Sequence, residues 1–133
     1  MTVGGDITEI SYNHPTLGSG TLFPKAGEDN TYDLGGFRSK DDANGIDGGG
    51  QPIDVMNRVR GFFECSVAND MNTNKELEAV SALAASPVAA TWTFSVVNGK
   101  SYTGTGKPVG DLSANINQGT FKMKVSGGAF AQV

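Results

Sequence analysis

An acidic, glycine-rich stretch in the first half of the chain has the composition that most suggests chemistry. It reads KDDANGIDGGGQPID from Lys40 to Asp54 and contains four aspartates and three successive glycines. EF-hand calcium loops need oxygen donors at positions 1, 3, 5 and 12 and a glycine at position 6. Counted from Asp42, positions 5 and 12 are Ile46 and Ile53, and a register that starts at Asp41 does not fit either. The spacing therefore argues against an EF-hand calcium site.

The same stretch lacks the features of a phosphate-binding loop. Such a loop leads into a helix that begins with Lys and Ser or Thr, whereas GGGQPID leads into a proline and a predicted strand. The chain carries 10 Lys and Arg against 14 Asp and Glu, a formal net charge of −4. Proteins that bind the phosphate backbone of nucleic acids carry an excess of clustered Lys and Arg residues. The negative net charge of this chain therefore argues against nucleic-acid binding as its main function.

Nucleophilic and metal-dependent chemistry have few candidate side chains. The chain has one histidine, His14, and one cysteine, Cys65. A reactive thiol needs an adjacent base, and distance along the chain does not decide whether these two residues meet. Cys65 has the position of a buried strand residue, and His14 that of a turn residue with a solvated ring. Zinc needs four protein ligands, or three plus water. We therefore predict no enzymatic activity, no catalytic residues, no metal and no cofactor.

One helix is predicted, in TNKELEAVSALAASP. Thr73 and Glu76 have the spacing of a capping box, and Pro87 ends the pattern. The apolar face at helical spacing consists of Leu77, Val80 and Ala84, broadened by Ala79 and Leu83. Glu76 and Glu78 lie in the first turn, where carboxylates favour the positive end of the helix dipole. A structural role therefore accounts for this pair of carboxylates.

Alternating apolar residues predict strands through much of the rest of the chain. In RVRGFFECSV, one face consists of Val59, Gly61, Phe63, Cys65 and Val67. The opposite face is mixed and consists of Arg58, Arg60, Phe62, Glu64 and Ser66. Shorter candidates are DITEISY, GTLFPK and the two halves of LSANINQGTFKMKVSG. A mixed second face is expected where a strand meets water or a partner.

The segment TWTFSVVNGKSYTG predicts a β-hairpin. Asn98 and Gly99 have the chemistry of a type I′ turn, in which both central residues adopt positive φ. The first strand has an apolar face formed by Trp92, Phe94 and Val96. Its other face is rich in hydroxyls and suited to contact with water, and consists of Thr91, Thr93, Ser95 and Val97.

Length and composition favour one mainly β domain over residues 1–133. The 19 glycines are spread as pairs and singletons between apolar runs, which is typical of turns in a β-rich protein. A single cysteine excludes an intrachain disulfide. The first residues, MTVGGDITEI, lack a basic region followed by an apolar one, and no run approaches the roughly 18 apolar residues of a membrane span. We expect a soluble protein that is not exported by the usual route.

Several segments, taken in succession, resemble a known family. They are TYDLGGFRSK, the acidic glycine-rich stretch, RGFFECSVANDM, NKELEAVSALAAS, ATWTFSVVNGKSYTGTGKPVGDL and GTFKMKVSGG. In order and spacing they resemble the tail tube proteins of contractile-tailed bacteriophages, particularly those of the Mu-like type, from Tyr32 to Gly128. The individual motifs are loose, and their succession carries the resemblance.

The resemblance implies a fold and an assembly. The fold is a small β-sandwich or barrel flanked by one short helix, and six copies form a ring with a continuous inner β-barrel. Stacked rings make the tail tube of the virion, a channel for DNA passage into the host, and assembly takes place in the host cytoplasm. The implied partners are further copies, the tail sheath protein, baseplate and tail terminator proteins, a tape measure protein in the lumen and DNA in transit, with no membrane.

The resemblance also implies roles for particular residues. Residues 38–57 form a long assembly loop that reaches an adjacent subunit or ring, and residues 1–5 do the same. The expected contacts between subunits or rings are Asp41, Asp42, Asn44, Asp47, Gly48, Gly49, Gly50 and Asp54. Two faces are candidates for the lumen, and the choice between them stays open. They are Arg58, Arg60 and Glu64 on the one hand and Thr91, Thr93 and Ser95 on the other.

Two alternatives remain at this point. A tube protein of a type VI secretion or pyocin-like injection system has a related architecture, so the residues do not separate it from a phage tail tube. A β-sandwich module that binds a sugar or another small ligand belongs to a different class. It is expected to expose a cluster of aromatic side chains, which the sequence does not make evident.

Overall fold

The computed structural model describes residues 2–40, 42 and 44–133, which form a mainly β protein with one short helix. In these residues, the strands and helix in chain order are β1 (Ile7–His14), β2 (Gly18–Leu22), β3 (Thr31–Asp33), β4 (Gly36–Ser39), β5 (Gly45–Ile46), β6 (Pro52–Ile53), β7 (Met56–Val59), β8 (Gly61–Ala68), α1 (Lys75–Ala85), β9 (Ala90–Val96), β10 (Ser101–Val109), β11 (Ala114–Asn115), β12 (Thr120–Gly127) and β13 (Ala131–Gln132). The predicted mainly β fold with one short helix is confirmed.

Most strands belong to one large antiparallel sheet. Its order is β2-β1-β9-β10-β12-β8-β3, with β11 beside β12 and β13 beside β10. Two small ladders, β4 with β7 and β5 with β6, lie outside this sheet. The large sheet supplies the core, and the two small ladders form a separate feature that is described below.

The large sheet curls until its two ends meet along β8. Directly after β2, the chain leaves β1 and pairs with β8 through an isolated bridge between Pro24 and Val67. The Lys25 amide donates to the Ser66 carbonyl oxygen at 2.9 Å, and the Ala68 amide donates to the Phe23 carbonyl oxygen at 2.8 Å. Both edges of β8 are therefore hydrogen-bonded, one by β12 and the other by this segment and β3.

The curled sheet encloses an aromatic core. The alternation predicted for β8, β9 and β12 is confirmed, because their inward side chains are buried: Phe63, Cys65, Val67, Trp92, Phe94, Phe121, Met123 and Val125. The Phe63 ring centroid lies 5.0 Å from that of Phe94 and 6.0 Å from that of Trp92. Fully burying a large apolar side chain stabilises a fold by about 1.5–3 kcal/mol, so these rings contribute strongly. The indole Nε1 of Trp92 donates to the Gly106 carbonyl oxygen at 3.0 Å, which satisfies its polar atom.

The C-terminal segment completes the core between two glycines. A Cβ atom at Gly104 would lie 2.5 Å from the Phe130 ring, and one at Gly61 would lie 2.7 Å from the same ring. Only residues without a side chain allow the buried Phe130 to approach both backbones this closely. The Phe130 amide also donates to the Leu34 carbonyl oxygen at 2.8 Å, which fixes the segment before β13.

The hairpin of β9 and β10 has a different turn from the predicted one. Gly99 has φ of 86°, while Asn98 is not among the described residues with positive φ. The Gly99 amide donates to the Val96 carbonyl oxygen at 2.9 Å, which indicates a three-residue loop with the glycine in the left-handed region. The hairpin is confirmed and the type I′ turn is wrong, because a left-handed glycine at the third loop position also matches strand twist.

The helix packs against β10 and contributes Val80 and Leu83 to the core. The predicted capping box is wrong, because the helix starts one residue beyond Asn74, which has a left-handed backbone and no side-chain capping bond. Instead, Oε2 of Glu76 accepts a long hydrogen bond of 3.4 Å from the Asp70 amide. No helix among the described residues is long and apolar enough to cross a membrane.

Candidate assembly arm and hydroxyl face

The acidic glycine-rich stretch lies in a hairpin that extends outside the large sheet. We call the described residues of the range 36–59, which leave out 41 and 43, the arm. Its base is the ladder of β4 and β7, with Gly36 opposite Val59 and Ser39 opposite Met56. Further out, β5 pairs with β6 in a second, shorter ladder. The described residues of the predicted loop 38–57 therefore form a two-part β-hairpin. The sequence did not predict these strands, because the segment is rich in glycine and aspartate.

An ion pair anchors the base of the arm. The guanidinium of Arg38 on β4 binds the carboxylate of Asp33 at the end of β3, with Nη1 donating to Oδ2 at 3.2 Å. The Gly35 amide donates to Oδ1 of the same carboxylate at 2.9 Å. The hydrogen bonds from Arg38 and then from Gly35 lower the pKa of Asp33 below its ordinary value. This carboxylate joins the large sheet to the first strand of the arm.

Asn44 holds the two halves of the arm together. Its Oδ1 accepts a hydrogen bond from the Val55 amide at 2.8 Å, and its Nδ2 donates to Ser39 Oγ at 2.8 Å. One side chain thus bridges the end of β4 and the residue before β7. Asn44 was predicted as a contact between subunits, and its side chain is largely used within the arm.

Asp47 organises the tip of the arm. Its Oδ1 accepts hydrogen bonds from the Gly49 amide at 2.8 Å and the Gln51 amide at 3.0 Å. The Gly50 amide donates to the Asp47 carbonyl oxygen at 3.0 Å, and Gly50 has φ of 83°, which a glycine adopts without strain. The carboxylate of Asp47 is therefore engaged by backbone amides, as in an Asx turn.

Of the other predicted contact residues, three glycines lie at this tip, and two aspartates lie between the two ladders of the arm. Gly48, Gly49 and Gly50 form the turn, and Asp42 and Asp54 are exposed. Asp41 lies outside the described residues, as does Met1 of the predicted N-terminal contact segment. Among the described residues, no three His, Cys, Asp or Glu side chains are grouped as metal ligands.

Large apolar side chains are exposed on the arm, and none of its described residues is buried. The large apolar residues with high exposure are Phe37 at 57%, Ile46 at 74%, Ile53 at 47% and Met56 at 55%. Sequence reasoning missed them as site residues because it concentrated on the aspartates and glycines of the same segment. The signal was available in Ile46 and Ile53, which are isolated apolar residues within a polar stretch.

The structure separates the first set of predicted lumen residues. Arg58 belongs to the arm, where its guanidinium carbon lies 4.8 Å from the Phe37 ring centroid. Arg60 lies between β7 and β8 and donates to the carbonyl oxygen of Ser126 at 3.2 Å. Glu64 is exposed on β8, opposite Lys124 of β12. These three residues therefore lie on an arm, a junction and a strand, and not on one continuous strand.

The second set lies on a continuous surface. Thr91, Thr93 and Ser95 share the outward face of β9, and their partners on neighbouring strands carry similar side chains. We call this surface the hydroxyl face, and it consists of Ser11, Asn13, Ser19, Thr21, Thr91, Thr93, Ser95, Ser101, Thr103 and Thr105. It spans four adjacent strands, in the order β2-β1-β9-β10.

Several hydroxyls of this face bond to each other or to the sheet. Ser95 Oγ lies 2.8 Å from Ser101 Oγ, and Thr93 Oγ1 donates to Thr103 Oγ1 at 3.2 Å. Thr103 Oγ1 also donates a hydrogen bond to the Trp92 carbonyl oxygen at 3.2 Å. Part of the hydrogen-bonding capacity of the face is therefore already used across the strand pair.

His14 and Cys65 have separate structural surroundings. His14 is 2% exposed, so the predicted solvated ring is wrong. Its Nδ1 accepts from the amides of Thr16 at 3.1 Å and Leu17 at 3.0 Å, and its Nε2 lies 3.1 Å from the Val88 carbonyl oxygen. Cys65 is buried in the core as predicted, and burial raises the pKa of its thiol to about 12, with a smaller contribution from the charge of Glu64. Neither residue bonds to the other.

No protein-family model matches this chain, and no curated protein matches it either. What the chain does must therefore be inferred from its own residues and their geometry.

Proposed function

We propose that the protein is a self-assembling structural subunit, the tail tube protein of a contractile phage tail. In this proposal, six copies form a ring, and stacked rings form a channel through which DNA passes into the host. The observation that carries the proposal is the arm, a hairpin outside the large sheet with four exposed, large apolar side chains.

The physical properties of the arm favour a protein partner. A two-stranded hairpin without a packed face is at best marginally stable in water, and exposed apolar clusters mark interaction sites. The ion pair of Asp33 and Arg38 fixes the base, and the Asn44 and Asp47 bonds organise the segments beyond it. The arm is thus internally organised but uncovered, as expected of a segment that is buried when copies assemble.

The free sheet edges also support assembly of copies. Among the described strands, β2 pairs only with β1 in the large sheet, and β3 pairs only with β8. A strand with an unpaired edge is a template for another strand, and closed rings remove such edges. The pairing of residues 23–25 with β8 closes the sheet only beyond β2, so β2 itself and β3 each keep one side without a strand partner among the described residues. A sheet that continues from copy to copy needs two such sides on each copy.

An arm on one copy that binds a different surface on the next makes a head-to-tail interface. Such interfaces generate closed rings or open helical filaments. A tube of stacked rings combines the two, since each ring is closed and the stack of rings is open-ended. The other partners in this proposal are the sheath, baseplate, tail terminator and tape measure proteins, and the protein lies in the virion tail. A tube of a secretion or pyocin-like injection system is the alternative within the same architecture.

The test is the assembly state of the purified chain. Sedimentation velocity over a range of concentrations, followed by negative-stain electron microscopy, is expected to reveal rings or tubes with sixfold symmetry. A protein that stays monomeric at the highest attainable concentration, at both low and physiological salt, would contradict the proposal. Assemblies with twofold symmetry only would contradict it as well, since stacked rings require a head-to-tail interface.

A further inference from the structure

We propose that the hydroxyl face lines the channel of the tube and passes double-stranded DNA without binding it. This inference rests on the proposed tube function and names the surface that faces the passing polymer. It also decides between the two candidate faces of the sequence analysis, in favour of Thr91, Thr93 and Ser95.

The first observation is the low charge of the outward surface that these strands share. The ten residues of the hydroxyl face carry no charge, and the same outward rows continue to Glu9, opposite Ser95 on β1, and to Lys107, beyond Thr105 on β10. These two side chains have opposite charges and lie at opposite ends of the rows. The face is therefore a neutral area with one carboxylate and one lysine at its ends.

The second observation is the contrast with the outward face of β8 and β12. Lys122 and Lys124 lie on β12, and Lys124 Nζ is 4.5 Å from the Phe62 ring centroid. Glu64 supplies the opposite charge across the strand pair. The outward surface of the same curled sheet thus has one uncharged region and one region with lysines.

DNA distinguishes these two faces physically. Duplex DNA carries about one negative charge per 1.7 Å of its axis, and each lysine that neutralises a phosphate adds affinity. Repeated around every ring, the lysine-bearing face would hold the polymer. The ten residues of the hydroxyl face include no cation that could pair with a phosphate. In two cross-strand pairs of this face, the two hydroxyl groups are already hydrogen-bonded to one another. DNA next to this face meets few strong binding sites and can slide.

The position of the face within the sheet agrees with this role. The strand at its margin is β2, which pairs only with β1 among the described strands. A neighbouring copy that adds a strand at this edge would continue the uncharged surface around the ring.

Cysteine labelling of assembled tubes tests the orientation. The variant Thr93→Cys places a thiol on the hydroxyl face, and Lys122→Cys places one on the lysine-bearing face as the matched control. The native Cys65 is 2% exposed, and burial raises its pKa to about 12, so it contributes little background. Each variant is treated with a small maleimide and with a polymer-linked, bulky maleimide, both as dissociated subunits and as tubes.

We expect Thr93→Cys to react with both reagents as a subunit and to lose reaction with the bulky reagent in tubes, while the small reagent still enters. Lys122→Cys is expected to keep its reaction with both. If Thr93→Cys in tubes reacts with the bulky reagent, the face points outward and the inference is wrong. If it reacts with neither, the face is buried between copies and the inference is also wrong. In both cases the tube proposal stands, whereas a wild-type chain that forms no tubes contradicts that proposal itself.

A charge variant gives an independent readout. Thr91→Lys adds a cation to the hydroxyl face, and the exposed Thr91 side chain leaves room for it. Tubes of this variant are expected to retain a short DNA duplex at low salt and to release it at high salt, whereas wild-type tubes do not retain it. Retention by wild-type tubes, or equal behaviour of the two, would contradict the inference. Thr105→Cys replaces Thr93→Cys in the labelling if the latter does not fold.

Discussion

Arg38 and Asp33 form an ion pair across the junction between the large sheet and the arm. The residues belong to different ladders, since Asp33 pairs with Phe62 on β8 and Arg38 pairs with Asn57 on β7. Their contact is therefore a side-chain link between the arm and the large sheet. Because both side chains are solvent-accessible, the pair is expected to contribute little to global stability and more to the position of the arm.

This geometry predicts a specific effect of Asp33→Asn. We expect the melting temperature of the subunit to change little and assembly to weaken, because the arm is no longer held by charge. Asp111→Asn removes the same charge from an exposed residue in the loop after β10 and is the control. Sedimentation velocity of both variants measures the difference. Equal assembly of the two would contradict an orienting role for the pair.

The pH dependence of the anchor follows from the lowered pKa of Asp33. A carboxylate with a lowered folded-state pKa stabilises the state that binds it above its ordinary pKa, which is 3.8 here, and this stabilisation is lost as the pH falls through the folded value. We expect the anchor to persist down to pH 3.8 and to weaken only below it. Proton-detected NMR of the Gly35 amide, which donates to this carboxylate, follows the change. A transition centred above pH 3.8 would contradict the assignment.

The apolar residues of the arm are expected to drive assembly. The double substitution Ile46→Ser and Ile53→Ser should abolish tubes, because it removes apolar area that only a partner can bury. The subunit should keep its melting temperature, since both side chains are exposed. Leu17→Ser, at another exposed apolar position, is the control. If the double variant forms tubes of normal length, these apolar residues of the arm do not contribute to the interface.

Asp47 should act through backbone hydrogen bonds and not through a bound cation. Asp47→Ala leaves two amides of the tip without their acceptor and is expected to reduce assembly. Asp47→Asn retains an oxygen at the same position and is expected to restore much of it. A chelator should leave wild-type assembly unchanged. Loss of assembly on chelation, together with failure of Asp47→Asn, would indicate a metal site instead.

Local patterns predicted those parts of the fold that depend on local physics. Alternation in β8, β9 and β12 has a period of two, and the buried side follows from it directly. The helix was predicted from its apolar spacing, but its capping box was not formed, since Asn74 adopts a left-handed backbone. For the Asn98-Gly99 turn, the same two residues suit more than one hairpin loop, and the flanking strands decide between them.

The remaining features depend on residues that are distant in sequence. His14 is buried because Ser86 and Val88 supply partners that lie more than 70 positions away. The pairing of Pro24 with Val67, which closes the sheet, has no local signal for the same reason. The strands of the arm are short, and three of the four, β4, β5 and β6, contain glycine or proline, both of which lower strand propensity. The hydroxyl face emerges only when four strands are placed side by side.

The hydrogen bonds of the buried His14 ring predict the effect of His14→Ala. The ring accepts hydrogen bonds from two backbone amides at the β1–β2 turn, and its loss removes these part-buried bonds, each of which contributes roughly 0.5–1.5 kcal/mol. We expect the free energy of unfolding in urea to fall by the sum of the two contributions. Thr16→Val removes only one side-chain contact to the ring and should have a smaller effect. Equal losses in both variants would show that the ring is not the main element of this turn.

The contact of Gly104 with Phe130 predicts a coupled pair of substitutions. Gly104→Ala places a Cβ atom 2.5 Å from the Phe130 ring, and overpacking of this kind typically destabilises a core by about 1–3 kcal/mol. Phe130→Leu alone should also destabilise, because it removes buried aromatic surface. In the double variant, the smaller leucine leaves space for the new methyl group. The double variant should therefore lose less unfolding free energy than the sum of the losses in the two single variants. Urea unfolding of the four proteins measures this coupling. Simple additivity would mean that the ring can move away from Gly104, and that the C-terminal segment is not held against β10 by this contact.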